Sequence, residues 1–249
     1  MSGRELRIRP LRGLPEVAEG DDLGRLVVES ERPAPDEIVV LSQKVVSKAE
    51  GRLRRLAEVE PGGRARELAA ELGKDPALVE LVLSEAHELL RAERGVLITR
   101  TKGGWVCANA GIDASNLEEG WVALLPANPD ASARRIREQV AAASGASPAV
   151  VIADSFGRAW RLGQSDVAIG CAGLVPLQDW RERADQRGRR LSATVIAVAD
   201  ELAAAADLAR EKDSGVPGAV VSGLGALVTA EAGPGAAALR RPEEEDLFR

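Results

Sequence analysis

Twice in this chain a short apolar run breaks off at an aspartate set among small polar residues and glycine. The first segment is Asn109-Ala110-Gly111-Ile112-Asp113-Ala114-Ser115-Asn116. The second is Asp154-Ser155-Phe156-Gly157-Arg158-Ala159-Trp160-Arg161-Leu162-Gly163. The pattern calls for short buried strands that each deliver a carboxylate to a loop, with glycines letting the backbone come close to a ligand. Two carboxylates and two arginines form a donor set for a divalent cation and the phosphates it carries. Asp113 and Asp154 are therefore the candidate metal ligands. Ser155 adds a hydroxyl beside Asp154, and Asn116 an amide at the same site. Arg158 and Arg161 are candidate clamps for phosphate or carboxylate, through planar bidentate bonds. Taken singly, each aspartate also reads as a turn former after a strand, and the arginines as a solvated surface pair.

The rest of the inventory narrows the chemistry. The sequence has no Gly-x-x-x-x-Gly-Lys-[Ser/Thr] phosphate loop, and Gly223-Leu224-Gly225 lacks the third glycine of a dinucleotide fingerprint. His87 is the only histidine and reads as a residue on the face of a helix, so a Ser-His-Asp or Cys-His mechanism has no support. Cys107 and Cys171 match no zinc spacing and no disulfide framework, and both sit in apolar runs as small hydrophobes. What remains is carboxylates, metal and positive charge, the inventory of phosphoryl transfer. Lys48, just past a strand in Ser47-Lys48-Ala49-Glu50-Gly51, is a candidate point charge for phosphate. The net charge of −6 excludes the basic excess of a duplex nucleic-acid binder. No apolar stretch approaches membrane-spanning length and no leader pattern opens the chain, so a soluble, cytoplasmic protein without membrane partners is expected.

The pattern along the 249 residues predicts one module, with two intertwined subdomains as the alternative and an acidic tail over 240–249. Strands are expected at Ile38–Leu41, continuing through Val45 and Val46, and at Val96–Arg100, Trp105–Ala108, Trp121–Leu125, Val150–Ala153, Val167–Gly173, Thr194–Val198 and from Val220. Helices are expected at Arg64–Leu72, at Leu78–Leu90 behind an Asp75 cap and Pro76, at Ala131–Ala143 with Asp130 as its N-cap and Gly145 closing it, and at Asp200–Arg210. Hairpin and helix signals alternate irregularly. This predicts an α+β class with mixed, largely antiparallel sheets and packed helices rather than a regular doubly wound sheet.

These motifs together resemble one known family. Ser47-Lys48-Ala49-Glu50-Gly51, Ala110-Gly111-Ile112-Asp113-Ala114-Ser115-Asn116, and the run from Asp154-Ser155-Phe156-Gly157-Arg158 to Asp166-Val167-Ala168-Ile169-Gly170 are similar to the coenzyme F420:L-glutamate ligases, in their single-domain form. The likeness extends from about Leu11 to Gly225 and implies the gamma-glutamyl ligase-like fold. It implies a GTP-dependent enzyme that adds L-glutamate to the carboxylate arm of a deazaflavin, F420-0 or its dehydro form, through an acyl phosphate. It also implies a homodimer, two divalent sites for magnesium or manganese, and a potassium ion. By motif position Asp113 and Asp154 hold the first divalent ion and Ser155 the second. Asn116 and Lys48 meet the nucleotide, with Gln43 and Lys44 beside it. Leu14, Pro15 and Glu16 belong to the N-terminal turn against the nucleotide, and Lys212 to the Leu208–Ser214 segment that closes over it. Ala159 stands where many members carry proline, and Glu211 where a glycine precedes the lysine.

Two other readings use the same loops. One is a metal-dependent phosphatase or nucleotidyltransferase without an amino-acid acceptor. The other is a non-catalytic module that binds a deazaflavin or a nucleotide.

Overall fold

The computed structural model describes residues 5–210 and 214–246. The strands are β1 (Arg7–Pro10), β2 (Ile38–Ser42), β3 (Leu53–Arg55), β4 (Ala86–Glu93), β5 (Val96–Thr101), β6 (Val106–Ala108), β7 (Trp121–Ala123), β8 (Ala149–Arg158), β9 (Arg161–Ala172), β10 (Gln178–Asp179), β11 (Val195–Ile196) and β12 (Gly218–Ser222). The helices are α1 (Leu23–Ser30), α2 (Gln43–Ala49), α3 (Gly63–Leu72), α4 (Pro76–Glu85), α5 (Pro129–Ser144) and α6 (Val198–Leu208). The predicted α+β class is what the chain adopts, with mainly antiparallel sheets and, among the described residues, no closed barrel.

The central sheet runs β1-β12-β2-β8-β9. Only β2 and β8 are parallel; the other neighbours are antiparallel. Strand β2 alternates between two cores, as a strand covered on both faces must. Val39 and Leu41 join the side holding α1, α2 and α5, through Leu26, Val27, Val46, Ile136 and Val140. Ile38 and Val40 join the side holding α6, through Ala199, Leu202, Ala203 and Ala206. All four β2 residues are essentially inaccessible to solvent, and each such side chain contributes about 1.5–3 kcal/mol of transfer free energy. A separate apolar cluster under α3, α4 and the β4-β5-β6 sheet centres on Val79, Val82 and Leu97.

Several expectations needed correction. The strand predicted to continue through Val45 and Val46 stops at Ser42, and the chain turns into α2. β-Branched valines favour extended backbone locally. Here a helical turn puts both into the core, and it brings the single Ser47 hydroxyl proton within reach of either the Leu124 carbonyl, 2.6 Å from Oγ, or Gln43 Oε1, 2.9 Å away. The helix predicted over Leu78–Leu90 ends at Glu85, and Ala86–Glu93 forms β4, so His87 is an exposed strand residue. That segment is rich in helix formers, and its pairing with β5 overrides their propensity. Arg94 and Gly95, both at positive φ, make the two-residue hairpin turn that permits the pairing. Helix α5 is capped by Asn128, whose side chain accepts from the Ala131 N–H at 3.0 Å. Asp130 lies inside the first turn and accepts from the Cys171, Ala236 and Ala237 N–H groups.

The largest correction concerns the second Asp segment. It is not a loop but part of a long hairpin, in which Asp154 pairs with Val167, Ser155 with Asp166, and Arg158 with Arg161 across the turn at Ala159 and Trp160. Other readings stand. Asp75 caps α4, accepting from the Ala77 N–H at 2.7 Å. Gly145, at φ +78°, ends α5. The Lys102-Gly103-Gly104 hairpin joins β5 to β6.

Candidate active site

A cavity of about 680 Å³ opens beside the ends of β2 and β8, within the range of small-molecule sites. Its wall is assembled from the turn before α1, the start of α2, the segment after β6, the first half of the β8–β9 hairpin, and the chain around the end of α6. Ten predicted residues meet there: Leu14, Pro15, Glu16, Gln43, Lys44, Lys48, Asp113, Asn116, Asp154 and Ser155. The strand-to-helix turn at Ser42 explains how β2 delivers Gln43, Lys44 and Lys48 to one rim, since a continuing strand would have carried them away.

Asp113 is aimed by backbone rather than by packing of its own side chain. Asn109, Ala110 and Gly111 follow one another at positive φ (50°, 54° and 71°), the left-handed region that costs a non-glycine residue about 1–2 kcal/mol. Ala110 is buried in the α4 cluster, and its N–H donates to Thr99 Oγ1 at 3.1 Å. Asp113 then exchanges both backbone hydrogen bonds with Ala123 of β7. Its carboxylate accepts from the Ser115 N–H at 2.7 Å and the Ser115 hydroxyl at 3.0 Å, so the Asx-turn reading is also realised. Lys44 reaches across from α2 to Asp113 Oδ2 at 2.8 Å and to Ser115 Oγ at 2.6 Å. Partial burial alone raises the Asp113 pKa. The Lys44 ammonium and the Ser115 donors outweigh that effect and hold it below the usual carboxylate range.

Asp154 and Ser155, on β8, also line the cavity. Ser155 Oγ donates to Asp166 Oδ1 at 2.6 Å, and Asp166 Oδ2 accepts from Arg210 Nη2 at 2.5 Å. Cys107 lies nearby, read from sequence as a plain buried hydrophobe. Burial first, and the Asp154 charge second, push its thiol up to about 12, so it stays a neutral thiol in the cavity wall. Lys48 is ion-paired with Glu16 across the cavity mouth. Gln43 is buried, with its Oε1 2.9 Å from the Ser47 hydroxyl.

Arg158 and Arg161 are not brought to the cavity. They flank the exposed hairpin tip, where Arg158 donates to the Leu162 and Gly163 carbonyls of its own turn. Lys212 lies outside the described residues. Sequence reasoning gave Asp166, Asp207 and Arg210 no role of their own, although Arg210 falls within the Leu208–Ser214 segment; all three line the wall. Asp166 lay inside a quoted motif, but only pairing across the hairpin reveals its partner.

The described lining residues carry three cations (Lys44, Lys48, Arg210) against five carboxylates (Glu16, Asp113, Asp154, Asp166, Asp207). A cavity with that excess rejects phosphate until it takes up cations of its own. No group of three or more His, Cys, Asp or Glu converges as a protein metal cage among the described residues. The donor set fits a hard cation held by one or two carboxylates and completed by substrate phosphates and water.

The chain matches the model of the F420-0:Gamma-glutamyl ligase family over residues 13–223. It belongs to that family. The match covers every described residue lining the cavity and the whole central sheet apart from the N-terminal edge strand β1. Among the relatives, the coenzyme F420:L-glutamate ligase of Archaeoglobus fulgidus is 43% identical over 246 residues, covering 98% of this chain and 96% of that one. The ligase of the same name from Methanothermobacter thermautotrophicus is 41% identical over 95% and 96% of the two chains. That from Halobacterium salinarum is 45% identical over 84% and 83%. Among the described residues, no helix is long and apolar enough to cross a membrane.

Proposed function

We propose that this chain joins L-glutamate to the carboxylate arm of a deazaflavin F420 precursor, using GTP as co-substrate. The reading rests on family membership together with one observation of the site. Asp113, Asp154 and Ser155 converge on a cavity whose described lining residues carry more carboxylates than cations, although the proposed ligands are anions.

A carboxylate and an amine do not condense unaided. In the proposed reaction an oxygen of the deazaflavin carboxylate attacks the γ-phosphorus of GTP, and the bond to the β-phosphate oxygen breaks, releasing GDP. The amino nitrogen of glutamate then attacks the acyl carbon. Phosphate leaves with the C–O bond electrons, and the nitrogen gives up a proton to solvent. No histidine or cysteine nucleophile is required, in keeping with an exposed His87 and a neutral Cys107.

Asp113 and Asp154 would hold one divalent cation, magnesium or manganese, and Ser155 would contribute to a second. Cations held there would supply positive charge that offsets the negative charge developing on the transferred phosphoryl group. Lys44 and Lys48 supply point charges to the phosphates once released from Asp113 and Glu16. Asn116 lines the cavity next to them, and the turn at Leu14, Pro15 and Glu16 walls the nucleotide. A potassium ion and a homodimer complete the proposal. Arg158 and Arg161, solvent-exposed within one chain, then act on anions only if a second copy or the substrate tail reaches the hairpin.

The test is nucleotide chemistry. Purified protein with GTP, manganese and the glutamate-free deazaflavin should release GDP at a rate that rises with added L-glutamate. GDP release indifferent to glutamate would instead identify a phosphatase.

A further inference from the structure

Asp166 and Arg210 form the most deeply buried ion pair among the described residues. Their side chains are 4% and 6% exposed, and both line the cavity. Asp166 stands directly opposite Ser155 in the β8–β9 register, which is why the Ser155 hydroxyl reaches it at 2.6 Å. Arg210, just past α6, holds the other oxygen of the same carboxylate at 2.5 Å. It also donates to Asp207 Oδ1 at 3.3 Å and to the Pro217 carbonyl at 3.4 Å. Its Nε is buried with no hydrogen-bond partner among the described residues. Burying an ion pair rarely yields net stability, and an unsatisfied buried N–H opposes it. Stability is therefore a weak account of this arrangement, and its place in the cavity wall is a better one.

The chemistry of the Ser155 hydroxyl supplies that account. A serine hydroxyl offers either a hydrogen or lone pairs to a ligand. With its proton committed to Asp166, the Ser155 oxygen turns lone pairs toward whatever else approaches it. We propose that Asp166, held by Arg210, is a positioning residue that presents the Ser155 oxygen to a divalent cation in the cavity. The inference rests on the reading that Ser155 contributes to a metal site. Asp166 acts through Ser155 and touches no reacting atom. Partners of this kind typically change metal affinity by 10–100-fold when removed.

Manganese binding to the full-length protein in the presence of GTP, followed by loss of the free-ion electron paramagnetic resonance signal, separates the outcomes. The account predicts that Asp166→Asn weakens manganese binding about tenfold and that Ser155→Ala does so to a similar degree. The double variant should bind no more weakly than Ser155→Ala alone, because Asp166 acts only through that hydroxyl. The KM for GTP should stay within about twofold in Asp166→Asn while kcat falls, with the melting temperature and circular dichroism near wild type to separate this from a loss of folded protein. Wild-type manganese affinity in Asp166→Asn would overturn the inference. So would single-variant losses that multiply in the double variant. If Asp166→Asn fails to fold, Asp166→Asn/Arg210→Gln removes both charges together and should show the same tenfold weakening; unchanged affinity there overturns the inference equally. Failure of the wild-type protein to bind manganese with GTP would instead reject the metal reading on which the inference rests.

Discussion

Gly111→Ala tests how the fold aims Asp113, because two costs, only partly offset by one gain, meet at that glycine. Its φ of +71° lies in the left-handed region, and a Cβ there would sit 2.6–2.9 Å from Cδ1, Cγ and Cδ2 of Leu125. Left-handed backbone costs an alanine about 1–2 kcal/mol. Losing glycine's extra freedom in the unfolded chain returns about 0.5–1 kcal/mol. Leu125 is buried in the central core and cannot swing into solvent, so overpacking adds about 1–3 kcal/mol. The expected loss is about 1–4.5 kcal/mol, or a fall in Tm of about 2–18 °C for a domain of this size. Urea unfolding followed by circular dichroism measures it. The double variant with Leu125→Ala should be less destabilised than the sum of the two singles by about 1–3 kcal/mol, because the deleted side chain is the one in conflict. A loss below about 0.5 kcal/mol for Gly111→Ala, or strict additivity in the double variant, would refute the reasoning.

Further consequences concern the site itself. Asp113→Asn and Asp154→Asn should each lower turnover by on the order of 10²-fold or more, with melting temperatures near wild type; near-normal turnover in either removes that residue from the metal site. Lys44→Met removes the ammonium that competes for Asp113, so apparent manganese affinity should rise while kcat falls; weaker manganese binding would show that Lys44 helps to build the site. The pKa of Asp113 is depressed in the folded state, so the stability it contributes is present above the ordinary carboxylate pKa and disappears as pH falls through the lowered folded value. Lys44→Met should flatten that acid limb of a stability–pH curve, and an unchanged limb would assign it to other carboxylates. Cys107, with its thiol pushed up to about 12, should resist alkylation at pH 8 in the native protein and react only on unfolding, as mass spectrometry of the modified peptide would report.

The parts of this fold that were legible in sequence are those where local chemistry and tertiary context agree. Asp75-Pro76 starts a helix and Gly145 ends one because capping depends on the neighbouring backbone. Val96 and its neighbours pair across a glycine turn as alternation demands. Elsewhere the two disagree. Ala86–Glu93 is composed of helix formers and becomes a strand because the Arg94-Gly95 turn folds it onto β5. Val45 and Val46 favour a strand and sit in a helix because the core lies on that side. The site shows the same division. Asp113, Asp154 and Ser155 stood out through their small, polar neighbours. Arg158 and Arg161 stood out equally, yet the long hairpin carries them to its exposed tip. Asp166 and Arg210 gave no local signal, since their roles come from pairing across strands and from the end of a distant helix.

The measurement closest to the central claim is the mass of the product. Purified protein is incubated with the glutamate-free deazaflavin, GTP, L-glutamate and manganese, with parallel reactions lacking GTP or containing ATP. The account predicts addition of glutamyl units that requires GTP and is lost in Asp154→Asn. A deazaflavin of unchanged mass, while GTP is hydrolysed or remains bound, would contradict it.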